Sequence, residues 1–95
     1  MTTATKPHPT EVLRYVCKNM GTTLEGLREA GRSPRFVQVR DLCALSLRVQ
    51  CGMTIAQIAQ QMGWEKDSTA SAAVRRARQA LAEYPPFLEL VEGRA

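Results

Sequence analysis

A chain of 95 residues has room for one small domain and is too short for a second hydrophobic core. Its composition, 44% hydrophobic and 5% aromatic, is typical of a folded globular protein, and its formal net charge of +4 favours an anionic partner. One histidine without a clustered nucleophile and base argues against an enzyme, so we expect no catalytic residue, cofactor, metal or small-molecule substrate.

The three cysteines predict a reducing environment. Cys17, Cys43 and Cys51 fall within predicted helices and show no C-x-x-C spacing. An odd number in this arrangement indicates reduced core thiols, with a metal site or a disulfide as the alternative. No apolar run approaches the roughly 18 residues of a membrane span, and no signal peptide is visible. We therefore expect a cytoplasmic protein with no membrane partner.

The amino-terminal part of the chain predicts a leader and two helices. Residues 1–9 are polar and hold two prolines, which favours a flexible leader, and His8 is interpreted there as a solvated residue rather than a metal ligand. Thr10 is predicted to cap the first helix, because its hydroxyl can accept from the N–H groups of the opening turn. Thr22-x-x-Glu25 has the form of a capping box that opens a short second helix.

A basic loop and a long helix follow. Residues 28–35 (REAGRSPR) fit either a solvated connector or a flexible arm that enters a DNA minor groove through Arg32 or Arg35. Pro34 suits the first turn of a third helix, predicted to run to about Cys51. Apolar residues occupy more than one face of that helix, so it is predicted to be the central helix of an all-α domain.

Residues 54–79 predict a short helix, a glycine turn and a longer helix. Thr54-x-x-Gln57 is a second capping box, and Gly63 can adopt the left-handed conformation that a tight turn requires. Trp64 is interpreted as a core aromatic beneath the turn, with base stacking as the alternative. Between residues 28 and 78, nine Lys/Arg residues stand against four Asp/Glu, so the positive surplus lies in this middle part of the chain.

The fifth helix has two different faces. It is predicted to be capped by Asp67 or Ser68 and to end before the Pro-Pro pair. One face is a small apolar stripe, whereas the other carries small polar side chains first and arginines later. Residues 86–91 predict one further helical turn, so a single domain is expected over residues 10–92, followed by a tail at 93–95.

Three stretches carry a resemblance to a known family: 52–63 (GMTIAQIAQQMG), 68–76 (STASAAVRR) and 32–35 (RSPR). They resemble the first helix-turn-helix element, the recognition helix and the basic loop of the carboxy-terminal DNA-binding domain of the bacterial replication initiator DnaA. That domain is a Trp repressor-like module, and the resemblance runs from about Val12 to Ala82. It implies an all-α domain of five to six helices that contains a helix-turn-helix.

Two departures from the family pattern qualify what the resemblance implies. Where the family typically reads Gly-Arg-Asp-His before its paired threonines, residues 64–67 read Trp-Glu-Lys-Asp. The changed charges and the lost histidine imply a base preference different from the usual DnaA box, with the same docking mode. No GxxxxGK[ST] loop occurs in these 95 residues, so we expect a stand-alone module without the ATPase of the initiator.

The sequence therefore predicts a sequence-specific double-stranded DNA-binding protein at the nucleoid, most simply a transcription regulator. DnaA-like modules without the ATPase also occur in activators of phage-derived and gene-transfer-agent genes. The recognition helix would lie in the major groove and the basic arm in the minor groove. The expected contacts are Lys66, Asp67, Ser68, Thr69, Ser71 and Ala72 at base edges, Arg40, Arg48, Arg75, Arg76 and Arg78 at the DNA backbone, and Arg32 and Arg35 in the minor groove.

Two alternatives remain open from the sequence. One is a replication modulator that competes with the initiator at origin DNA. The other is a protein-interaction module that docks RNA polymerase or another co-regulator protein. Its docking surface would include an exposed Phe87 and Leu88 beside the acidic tail, although the same residues also fit a short helix that closes the core.

Overall fold

The computed structural model describes residues 7–29 and 33–93, and every regular element within those ranges is a helix. The all-α fold class predicted from the sequence is therefore confirmed. None of the described helices combines the length and the apolar character that crossing a lipid bilayer requires. The helices are α1 Pro9–Asn19, α2 Leu24–Glu29, α3 Pro34–Cys51, α4 Ile55–Met62, α5 Asp67–Glu83 and α6 Phe87–Glu92.

Helix α3 is the centre of the fold, as the spread of its apolar residues predicted. Val39 and all seven residues at positions 41–47 are buried, so α3 is covered on every side. Each of the other described helices contacts α3. Because the centre of α3 is surrounded, its two buried polar residues, Asp41 and Ser46, must find their partners inside the protein.

The cysteines are free thiols, two of which lie in the core. Cys17 of α1 and Cys43 of α3 are fully buried. A hydrogen bond with Cys17, together with burial, raises the pKa of the Cys43 thiol well above its ordinary value, so Cys43 stays protonated at neutral pH. Cys51 is only half-buried, and its Sγ donates to the Pro7 carbonyl oxygen at 3.3 Å.

Helix α1 begins earlier than predicted, because His8 caps it rather than Thr10. The Thr10 N–H donates to His8 Nδ1 at 3.2 Å, and the His8 N–H donates to Glu11 Oε1 at 3.3 Å. Pro9 follows the cap with a φ already suited to a helix, which draws Thr10 into the first turn. Of the expected leader, residues 1–6 lie outside the described residues.

Two other predicted caps are displaced by one position or more. At α2, the Gly26 N–H donates to Thr23 Oγ1 at 2.9 Å, so the cap is Thr23 and not Thr22. At α5, Lys66 is the extended residue before the helix, and Asp67 is already helical. The Asp67 carboxylate nevertheless lies in the first turn, where the positive end of the helix dipole stabilises it.

Helix α6 closes the core against α3. Val91 is buried, and Gln50 Nε2 of α3 donates to its carbonyl oxygen at 2.8 Å. Phe87, expected to be exposed if this segment is a docking surface, is half-buried and meets Tyr84 edge-on with ring centroids 4.7 Å apart. Of the two interpretations of this segment, the helix that closes the core is the one observed, although Leu88 remains 44% exposed.

Candidate nucleic-acid interface

A reciprocal cap and a glycine turn determine how α5 follows α4. The Gln57 N–H donates to Thr54 Oγ1 at 3.2 Å and the Thr54 N–H donates to Gln57 Oε1 at 2.9 Å, which confirms the predicted capping box. Helix α4 ends at Gly63, whose φ of 76° is left-handed and favours a residue without a Cβ. The next N–H, that of Trp64, donates to the Ala59 carbonyl oxygen at 2.8 Å. Trp64 is half-buried and packs on the core, as predicted.

The inner face of α5 consists of small apolar residues. Ala70, Ala73, Val74 and Ala77 are buried, and Leu81 is half-buried, so the predicted stripe is confirmed. These residues lie where α5 contacts α3 and α4. Short side chains at the contact let the helices approach closely, which holds α5 against the core and turns its opposite face outward.

The outer face of α5 begins with short side chains. The residues expected at base edges lie on the first two turns of the helix and, apart from Lys66 before its first turn, have short side chains. Five of them are exposed and Ala72 is half-buried. They are Lys66, Asp67, Ser68, Thr69, Ser71 and Ala72.

Arg75 follows on the outer face of α5, and Arg78 lies on the flank opposite Arg76. Arg75 and Arg78 are both exposed, and neither pairs with a carboxylate or donates to a carbonyl in the part of the chain that the structure describes. Arg75 lies seven residues, or two helical turns, after Ser68, so the two side chains project from the same side. Short polar groups and available positive charge therefore share one continuous surface.

Arg76 has an internal partner that the sequence did not indicate. Its Nε donates to Asp41 Oδ2 and its Nη2 donates to Asp41 Oδ1, each at 2.9 Å. The Asp41 side chain is 8% exposed, whereas that of Arg76 is 49% exposed. The hydrogen bonds to Asp41 raise the pKa of Arg76, which keeps it charged. The only signal of this pair in the sequence was a carboxylate within the apolar centre of α3.

The other predicted backbone and arm arginines are tied to main-chain carbonyl oxygens. Arg40 Nη2 donates to Leu27 O at 2.7 Å, Arg48 Nη1 to Met53 O at 3.2 Å and Arg35 Nη2 to Met20 O at 3.0 Å. Leu27 lies in the last turn of α2 and Met20 follows α1, where a cation is stabilised by the helix dipole, whereas Met53 lies in the connection between α3 and α4. Arg32 lies outside the described residues.

The start of α3 lies beside the second half of α5. A groove of about 270 Å³ separates them, and it is lined by Pro34 and Asp41 on one side and by Arg76, Gln79 and Glu83 on the other. The position from which the predicted arm extends is therefore close to the arginines of α5.

The chain matches no protein-family model, no curated protein and no solved structure. Its function is inferred from its own geometry and charge.

Proposed function

We propose that the protein binds double-stranded DNA in a sequence-specific manner and acts as a transcription regulator. In this proposal α4, the Gly63 turn and α5 form a helix-turn-helix, with α5 as the recognition helix in the major groove. The observation that carries it is the exposed surface of α5, which has short polar side chains in its first turns and, after them, Arg75 and Arg78 without a partner among the described residues.

The size of the side chains suits close approach to base edges. The major groove is about 12 Å wide and admits an α-helix of about 10–12 Å diameter. The short side chains on the first turns of α5 allow its backbone to enter deeply. The Asp67 carboxylate accepts from a cytosine amine, the Ser68 and Ser71 hydroxyls donate or accept at several bases, and the methyl groups of Thr69 or Ala72 contact thymine. Lys66 reaches a base or a phosphate.

Positive side chains around this helix supply the contacts to the DNA backbone. Arg75 and Arg78 reach phosphates directly, and Arg76 does so with the donors that Asp41 leaves unused. Arg40 and Arg48 add charge from α3, and Arg35, at the start of α3, enters the adjacent minor groove by exchanging the Met20 carbonyl oxygen for DNA, with Arg32 near it in the sequence. Phosphate contacts fix the position of the protein, and the first turns of α5 select the sequence.

The proposal is tested by binding selection from a random duplex library, followed by titration of the selected site at several salt concentrations. A short motif is expected. If about five phosphates are neutralised, the logarithm of the binding constant falls with the logarithm of salt concentration with a slope of roughly −4 to −5. Absence of a motif together with a flat salt dependence would sink the proposal.

The regulatory role needs a test of its own. Genome-wide occupancy of the tagged protein is expected to peak at promoters, including those of phage-derived or gene-transfer-agent genes. Peaks confined to replication origins would instead favour a modulator that competes with the initiator. A pull-down in which a polymerase subunit is retained without DNA would favour a protein-interaction module.

A further inference from the structure

We infer that Asp41 is a positioning residue for DNA binding: it holds the Arg76 guanidinium in the orientation in which its outer edge meets a backbone phosphate. The inference rests on the proposed function and adds a residue that lies in α3, outside the helix-turn-helix. Asp41 itself does not contact DNA, because its side chain is 8% exposed.

The geometry of the pair leaves Arg76 with a usable edge. A guanidinium carries five N–H donors, and Asp41 occupies one on Nε and one on Nη2 through two parallel bonds of 2.9 Å. The remaining three donors are the second N–H of Nη2 and both of Nη1. These three donors lie on the edges of the guanidinium that face away from Asp41, and the Arg76 side chain is 49% exposed. One edge is therefore fixed in the protein while the other remains available to an anion.

Two parallel bonds constrain orientation more than they contribute to stability. Replacing a buried ion pair by packed apolar residues is often neutral or stabilising, so the presence of Asp41 in the centre of α3 is not explained by stability alone. A bidentate carboxylate fixes the plane of a guanidinium, which a single contact does not. An arginine held in this way loses less rotamer freedom when it meets a phosphate.

The position of Arg76 on α5 places the oriented guanidinium where a backbone phosphate would lie. Arg76 lies one turn after Ala72 on α5, on the flank that faces α3, whereas Arg75 projects from the outer face and Arg78 from the opposite flank. A helix in the major groove has its flanks towards the groove walls, which carry the phosphates. Arg76 is thus placed to fix the rotation of the recognition helix relative to the DNA backbone.

The test begins with Asp41→Asn, for which an effect of charge and a loss of orientation change the DNA affinity in opposite directions. The substitution raises the net charge from +4 to +5, so an effect of charge alone tightens DNA binding. Loss of orientation weakens binding, by about 5- to 30-fold. The charge-matched control Glu89→Gln, on the exposed face of α6, is expected to leave affinity unchanged or slightly higher.

A double-mutant cycle then shows whether Asp41 acts through Arg76. Arg76→Ala is expected to weaken binding and to reduce the salt slope by about 1. In the Arg76→Ala background, Asp41→Asn is expected to cause no further loss of affinity, so that only the small tightening from the added charge remains. Arg76→Lys keeps the charge but not the two parallel bonds, so it is expected to bind weakly as well, and it keeps the inference testable if Asp41→Asn fails to fold.

Three outcomes would overturn the inference: Asp41→Asn binding as tightly as the wild type or more so, an equal loss in the Arg76→Ala background, or wild-type affinity for Arg76→Lys. Thermal melts of each variant accompany the titrations. Failure of the proposed function is a different result, in which the wild type binds no duplex or Arg75→Ala changes nothing. The inference fails alone when the wild type binds, Arg75→Ala weakens binding and Asp41→Asn does not.

Discussion

Two groups of arginine side chains in this protein share their chemistry and differ in their surroundings. Arg75 and Arg78 are exposed on α5 without an internal partner among the described residues, whereas Arg35, Arg40 and Arg48 each donate to a backbone carbonyl oxygen. An anion can therefore bind the side chains of the first group without breaking a described contact within the protein. In the second group Arg35 and Arg40 join α3 to the end of α1 and to α2, and Arg48 holds the connection after α3, so the contribution of these side chains to binding is coupled to stability.

Removal of both outward arginines is expected to cause the largest effect. In the proposed complex each supplies a charge-assisted phosphate contact worth about tenfold in affinity, so Arg75→Ala/Arg78→Ala should bind the selected site about 100-fold more weakly. The salt slope should fall by about 2. Fluorescence anisotropy titrations at several salt concentrations measure both quantities.

The control for that variant is Arg14→Ala. Arg14 is an exposed arginine of α1 whose nearest carboxylate, that of Glu25, lies 4.0 Å away at the surface. Its removal lowers the net charge without touching α5, and it should change affinity less than about twofold. An equal loss from Arg14 and from one α5 arginine would mean that total charge, rather than the face of α5, governs binding.

Removal of a tied arginine is expected to act first on stability. Arg40→Ala deletes a half-buried donor to Leu27 O and should lower the free energy of unfolding by about 2 kcal/mol, as measured by urea denaturation. Arg75→Ala is the matched comparison and should change it by less than about 0.5 kcal/mol. If Arg40→Ala keeps its stability but loses DNA affinity, Arg40 belongs with the outward group.

The smallest expected effect separates sequence selection from charge. Asp67→Ala removes a carboxylate proposed to accept from a cytosine amine, so discrimination at one base pair should fall by about 1 kcal/mol. Affinity for unrelated duplexes should rise slightly, since a negative charge is lost. Parallel binding selections with the variant and with Glu89→Gln measure this, and a motif unchanged by Asp67→Ala would remove that residue from the base-reading set.

Local sequence patterns predicted much of this fold, and there is a physical reason why some helix caps were predicted correctly and others were not. The capping box of Thr54 and Gln57 and the turn at Gly63 were predicted correctly, because all the interacting groups lie within ten residues of one another. The caps at Thr10 and Thr22 were wrong by a residue or two, because neighbouring residues offer the same hydrogen bond. The residue that follows each candidate cap then determines which one is used: Pro9, at the first helical position, makes His8 the cap of α1.

The sequence by itself determined the order of the helices, the small apolar stripe of α5 and the placement of positive charge in the middle of the chain. Only the tertiary structure decided which arginines are outward and which are tied, and it placed Asp41 beneath Arg76. These two residues are 35 positions apart and lie on different helices. Their contact depends on how α3 and α5 are rotated against each other, which the packing of the whole core determines and no local pattern encodes.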